Sequence, residues 1–152
     1  MLLIEYPEPR FRVREQDGRS FIFDSLRKKW LLLTPEEWVR QNFINYLVAV
    51  KKYPVAVIAQ EKMFALGDLN KRFDILIYDA THKPWMMIEC KAPTIPLNEK
   101  VLQQLLRYHV SIPVPYLVVT NGATGYGWLK EADSTMNRLI ELEELPDWPE
   151  AK

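Results

Sequence analysis

The stretch RFDILIYDATHKPWMMIECKAP, residues Arg72–Pro93, decides the fold. Two apolar runs, Phe73–Tyr78 and Trp85–Lys91, flank a turn at His82–Pro84. Each run is largely apolar on both alternating faces, the pattern of strands inside a sheet covered on both sides. Yet Asp74 sits near the start of the first run, and Glu89 and Lys91 close the second with only Cys90 between them. Residues two apart in a strand share a face. Glu89 and Lys91 therefore project together, while Cys90 points into the other layer. If the two strands pair through residues 79–84, Asp74 comes close to the Glu89 end.

Working outward, FRVREQDGRSFIF alternates apolar and polar residues around Asp17-Gly18, so residues 11–23 read as a β-hairpin. TPEEWVRQNFINYLVAVKK predicts a helix with Thr34 as N-cap, Pro35 at the first helical position and Glu37 completing a capping box. Val39, Phe43, Leu47 and Val50 share one face of it, and Pro54 ends it. Tyr53–Leu66 reads as extended and Gly67–Asn70 as a turn. Beyond the central pair, Asn98 caps a second helix running to about Val110. Pro115 then opens the strand PYLVVT, which ends at the turn signal Asn121-Gly122. Tyr126–Leu129 reads as a short strand and Met136–Leu145 as a helix. The expected architecture is an α/β sandwich: a mixed central sheet with helices on both faces, plus an N-terminal β-hairpin.

The 152 residues predict a single domain, with its core at about residues 30–130. Five Trp, seven Tyr and six Phe exclude a disordered chain. The absence of an apolar run near the ~20 residues that span a bilayer argues against a membrane role. MLLIEYPEPR lacks the features of a signal peptide. One cysteine excludes an internal disulfide framework and fits a reducing compartment, so a cytoplasmic location is expected. Lys plus Arg equals Asp plus Glu at 20 each, and such neutrality argues against strong free-standing nucleic-acid binding but leaves room for a local basic groove.

Two carboxylates converging from neighbouring strands make a hard oxygen site suited to Mg²⁺ or Mn²⁺. A lysine beside them can position a water and offset charge developing on a phosphate. The combination suits metal-assisted phosphodiester hydrolysis. The plainer reading is a solvated Glu–Lys salt bridge at a strand end, because D-x(n)-E-x-K with a free gap is common.

Asp74 with Glu89-x-Lys91 resembles the PD-(D/E)xK nuclease superfamily, with Phe73 standing where the nominal motif has proline. TPEEWVRQNFINYL, KRFDILIYD, PWMMIECKAP, QLLRY and PYLVVTNG, in this order over about residues 30–125, resemble the N-terminal nuclease domain of type I restriction enzyme R subunits. The resemblance implies a restriction-endonuclease-like fold and Mg²⁺-dependent cleavage of DNA, with other restriction or repair subunits as further partners. It implies that Asp74 and Glu89 are metal ligands, that Lys91 is the catalytic lysine and that the Cys90 backbone carbonyl is a further ligand. The Cys90 thiol reads as a small core group.

Gln104 and Tyr108 form Q-x-x-x-Y on one helical face. Similar nucleases of the RecB type use such a pair beside the active site, although a surface glutamine and a half-buried tyrosine explain it equally well. Some relatives add a glutamate from the first helix, here Glu36 or Glu37. Glu36 is preferred, because it shares a stripe with Val39 and Phe43 while Glu37 has a capping role. Lys71 and Arg72 are candidate phosphate contacts, or simply solvate the strand's entrance. Two His and one Cys make a zinc site or a Cys–His dyad improbable, and no Walker-type phosphate loop occurs. The competing function is a non-catalytic nucleic-acid-binding or assembly module that keeps the nuclease fold.

Overall fold

Asp17 and Gly18 take φ values of 52° and 75°, which a tight hairpin turn requires. They join β1 (Val13–Gln16) to β2 (Arg19–Asp24), with Val13 opposite Ile22. A third strand, β3 (Lys29–Leu32), pairs antiparallel with β2, so the expected hairpin is part of a small three-stranded sheet. Four residues, KWLL, are too few to display an alternating pattern, and the pairing depends on β2 being in place. The computed structural model describes residues 1–66, 69–109, 111–132 and 137–150, with the side chains of residues 64–66, 69–71, 132 and 137 outside that description.

Helix α1 (Pro35–Ala49) begins as expected, with Thr34 Oγ1 accepting the Glu37 N–H at 3.0 Å. The capping box is only half made, because the Glu37 carboxylate accepts from Arg40 and Gln41. Val39, Phe43 and Leu47 are buried, whereas Val50 lies exposed just past the helix end. The segment expected to be extended from Tyr53 starts instead with a 3-10 turn at Val55–Val57 and becomes strand β4 at Ile58–Leu66. Strands β5 (Leu69–Tyr78) and β6 (Pro84–Cys90) follow. Gly67 and Asp68 of the expected turn lie outside the described residues, and Leu69 and Asn70 already belong to β5. Helix α2 (Glu99–His109) starts where Asn98 Oδ1 accepts the Val101 N–H at 3.0 Å, and its expected end, Val110, lies outside the described residues.

Strands β7 (Tyr116–Thr120), β8 (Gly125–Ala132) and β9 (Asn137–Glu141) complete a six-stranded sheet in the order β4-β5-β6-β7-β8-β9. Among the described residues, only β6 and β7 run parallel, and α2 is their crossover. The expected helix over 136–145 is therefore a correction: residues 137–141 form β9, and Met136 lies outside the described residues. Its apolar spacing suits a helix, but the open edge of β8 supplies backbone partners, and Leu142 N–H continues the pairing to Gly127 O at 2.8 Å.

The sheet is covered on both faces. One side packs Val39, Phe43, Ile44 and Leu47 of α1 on Ile75, Ile77, Met86, Ile88 and Cys90. The other packs Leu105, with Val101, Leu102 and Leu106 of α2, on Phe73, Leu76, Met87, Leu117 and Val119. This is the α/β sandwich that the sequence led us to expect. Among the described residues, no helix is long and apolar enough to cross a membrane.

Gly122, at φ 90°, holds the turn after β7 against α1, and a Cβ there would meet Val39 Cγ2 at 3.1 Å. A Cβ on Gly18 would meet nothing within 4 Å. Gly18→Ala should thus cost about 1 kcal/mol from backbone strain alone. Gly122→Ala should cost about 1–3 kcal/mol more through crowding at Val39. Urea denaturation of both variants checks the order.

Candidate active site

Strand β6 ends at Cys90, and Lys91 N–H extends its pairing by donating to Thr120 O at 2.8 Å. This fixes the Glu89-Cys90-Lys91 backbone beside β7. From the other neighbour, Asp74 Oδ2 accepts the Cys90 N–H at 2.7 Å. The pairing of β5 with β6 therefore brings Asp74 against the Glu89–Cys90 peptide. Burial pushes the Asp74 carboxyl above its ordinary value, against the opposing pull of the Cys90 N–H, Arg40 and Lys91.

The side chains then diverge in a way that simple alternation does not give. Phe73 and Leu76 face α2, while Ile75 and Ile77 face α1. Alternation is thus interrupted between Phe73 and Leu76, and Asp74 turns toward α1. The position opposite, Glu61, has φ 52°, a conformation rare for a residue with a side chain. Asp74 shares a recess of about 180 Å³ with Thr34, Glu36, Glu37, Arg40, Glu61 and Cys90. Glu89 instead faces α2, and with Lys91, Gln104 and Tyr108 it lines a groove of about 600 Å³. Consecutive residues, Glu89 and Cys90, line the two recesses.

Arg40 organises the acidic recess. Its guanidinium donates to both Glu37 oxygens, with Nε at 2.9 Å from Oε2. Its Nη1 lies 3.4 Å from Glu61 Oε1 and 3.9 Å from Asp74 Oδ1. Glu61 also receives Arg27 Nη1 and Arg72 Nη2, each at 2.8 Å. Arg27 Nε in turn holds the fully buried Asp24 at 2.7 Å, and Gln41 Nε2 donates to Glu37 at 2.9 Å. A continuous ion-pair and hydrogen-bond network thus runs from the N-terminal sheet through α1 to the recess that holds Asp74.

Glu36 is exposed and lines the same recess as Asp74, whereas Glu37 is buried and committed to Arg40 and Gln41. Gln104 and Tyr108 are both exposed on α2 and face the groove of Glu89 and Lys91. Arg72 is largely exposed but tied to Glu61, and the Lys71 side chain lies outside the described residues. Burial pushes the Cys90 thiol well up, Asp74 adding to the effect, so it stays protonated. Arg40, Glu61 and His109 were missed from sequence. Glu37-x-x-Arg40 is a readable helical pair, but Glu61 becomes significant only when β4 pairs with β5. Buried His109 places Nε2 3.7 Å from Glu89 Oε1, an arrangement set by the α2 crossover.

The fold and this arrangement define a class: an α/β domain whose mixed sheet gathers acidic residues and a lysine at the end of a central strand. A family model described as type I restriction enzyme R protein N terminus matches residues 35–146, and the chain belongs to that family. Comparison with curated proteins gives no match.

Burial opposes charge on Asp24, yet Arg27 and the backbone hold this carboxyl below its ordinary value. Arg27, ahead of the opposing effect of burial, lowers Glu61 as well. Lowered carboxyls stabilise the fold fully above their unfolded values, and this stability is lost as pH falls through the folded ones. Arg27→Ala should lower stability at neutral pH by about 1–3 kcal/mol, because it strips a buried carboxylate of its partner. It should also flatten the loss of stability below about pH 4. Thermal melts across the acid range test both.

Proposed function

We propose that this domain hydrolyses phosphodiester bonds in DNA with a divalent cation, Mg²⁺ or Mn²⁺, as an endonuclease-type component of restriction or a related defence process. The observation that carries the reading is the 2.7 Å hydrogen bond from Cys90 N–H to Asp74, which locks one carboxylate against the strand end bearing Glu89 and Lys91. Membership in the restriction R-protein family supports the same chemistry.

The donors fit such a cation in kind. Asp74, Glu89 and the Cys90 carbonyl offer hard oxygens, as Mg²⁺ requires. Among the described residues, no three His, Cys, Asp or Glu side chains gather closely enough to enclose a metal alone. That is compatible with Mg²⁺, which commonly keeps several waters and takes only one or two carboxylates. When bound, the cation would polarise the phosphate and acidify a water.

In this reading Asp74 and Glu89 would be the cation's carboxylate ligands, and because they line recesses on opposite faces of the sheet, Glu89 would have to turn from the α2 groove to join Asp74. Lys91 orients the attacking water and offsets charge on the phosphate. Gln104 and Tyr108 present an amide and a phenol to substrate across the groove, and Glu36 supplies a further carboxylate at the rim of the Asp74 recess. Arg72 and Lys71 are phosphate contacts at the entrance to β5. Other restriction or repair subunits would bring the domain to its target in the cytoplasm.

The alternative is a non-catalytic nucleic-acid-binding or assembly module. Arg40 favours it, since a fixed cation already sits among Glu37, Glu61 and Asp74. Plasmid and single-strand cleavage with Mg²⁺ or Mn²⁺ separates the two readings. Lys91→Ala and Asp74→Asn should each lower the rate about 10²–10³-fold while keeping the wild-type circular dichroism. Chelation by EDTA should abolish cutting. Equal rates in wild type and both variants would overturn the hydrolytic reading.

A further inference from the structure

Although the chain as a whole is neutral, residues 10–30 hold seven Lys or Arg against three Asp or Glu. Their placement follows from strand register. Arg12 O accepts the Phe23 N–H at 2.9 Å, so Arg12 stands opposite Phe23, Arg14 opposite Phe21, and Trp30 opposite Phe23 on the far side. Residues directly opposite share a face, so one surface of the β1–β3 sheet carries two arginines and three aromatic rings. Its reverse carries Ile22, which is fully buried.

The guanidiniums are held in place by the rings. Arg12 lies 4.8 Å from the Phe23 centroid and 5.4 Å from that of Trp30, and Arg14 lies 4.3 Å from Trp30. Both arginines are exposed, and among the described residues neither they nor Arg10 and Arg19 form a salt bridge. Arg27, by contrast, is consumed by Asp24 and Glu61. Positioned arginines without carboxylate partners suit phosphate oxygens, which accept from a guanidinium in its planar fork. Beside them lies a recess of about 200 Å³ lined by Arg10, Phe11, Arg12, Phe23, Ser25 and Asn45. Two rings with amide and hydroxyl groups suit an unstacked base, which a duplex does not present.

We propose that this face of the N-terminal sheet is a binding site for single-stranded DNA, with Arg12 and Arg14 on consecutive phosphates and the adjoining recess taking a base. It rests on the reading that the domain acts on DNA, but it requires no cleavage. The network from Asp24 and Arg27 to Glu61 and Arg40 links this sheet to the recess that holds Asp74, so a strand held here is held on an element tied to that recess.

The test is fluorescence anisotropy of a labelled oligothymidylate and of a labelled duplex of equal length, in EDTA so that nothing is cut. Wild type should bind the single strand more tightly than the duplex. Arg12→Glu with Arg14→Glu should weaken single-strand binding at least about tenfold. It should also reduce the slope of log affinity against log salt by about 1.4, at roughly 0.7 per phosphate. Arg138→Glu, an exposed charge reversal on β9, should change affinity less than about twofold, well below the single-site Arg14→Glu, which carries the same charge change. Because binding is read in EDTA, where no variant cuts, loss of hydrolysis and loss of binding stay distinguishable. Wild-type affinity in the double variant, an equal loss in Arg138→Glu and Arg14→Glu, a preference for duplex, or no binding at low salt would each overturn the proposal. Should the charge reversal unfold the protein, as judged by circular dichroism, Arg12→Gln with Arg14→Gln gives the same readout.

Discussion

Strand β6 is buried on both faces, and the rest of the structure answers to that constraint. Met86, Met87 and Ile88 are fully inaccessible to solvent, alternate members facing α1 and α2. A strand so placed must be apolar throughout its middle, and its backbone must be paired on both sides. The pairing comes from β5, antiparallel, and β7, parallel. A parallel neighbour demands a crossover, and α2 is both that crossover and the cover for the second face. Charge appears at its end, where Glu89 and Lys91 line the groove beside α2.

The end of β6 is therefore a boundary between a dry core and a wet rim. The Cys90 side chain stays in the core, its N–H is taken by Asp74, and the flanking side chains reach solvent-accessible recesses. Burial disfavours the charge on Asp74, and nearby cations partly offset that effect. The carboxylates around Arg40 are arranged the same way: Glu37, Glu61 and Asp74 sit together because a guanidinium lies among them. Such a cluster resists rearrangement, since removing any member leaves a partly buried charge without its partner. The same network couples the small N-terminal sheet to the larger one. It makes the three-stranded sheet part of a continuous scaffold.

The irregularity at Glu61 and Asp74 has a physical role in this picture. Regular alternation along β5 would send Asp74 to the α2 side with Phe73's neighbour Leu76. Interrupting it, opposite a residue with positive φ, lets Asp74 reach the α1 side and accept the Cys90 N–H. Local backbone strain of this kind persists only where surrounding contacts over-determine it. Three arginines on Glu61 supply that determination.

The sequence by itself determined the strands and turns whose signals are local. Asp17-Gly18 specifies its turn through positive φ, Thr34-Pro35 and Asn98 start their helices through backbone capping, and the doubly apolar runs of β5 and β6 mark a covered sheet. It also placed Asp74, Glu89 and Lys91 at one strand end, because register follows from the turn between them. Tertiary structure alone decided the rest. Residues 137–141 became a strand because β8 offers an unpaired edge, although their spacing suits a helix. Glu37 gave up half its capping role because Arg40 lies one helical turn away and leads on to Glu61. Asp74 and Glu89 turned to different helices because a backbone irregularity outweighs simple alternation. Each of these outcomes depends on a partner distant in the chain, and no local pattern encodes the free energy of meeting it.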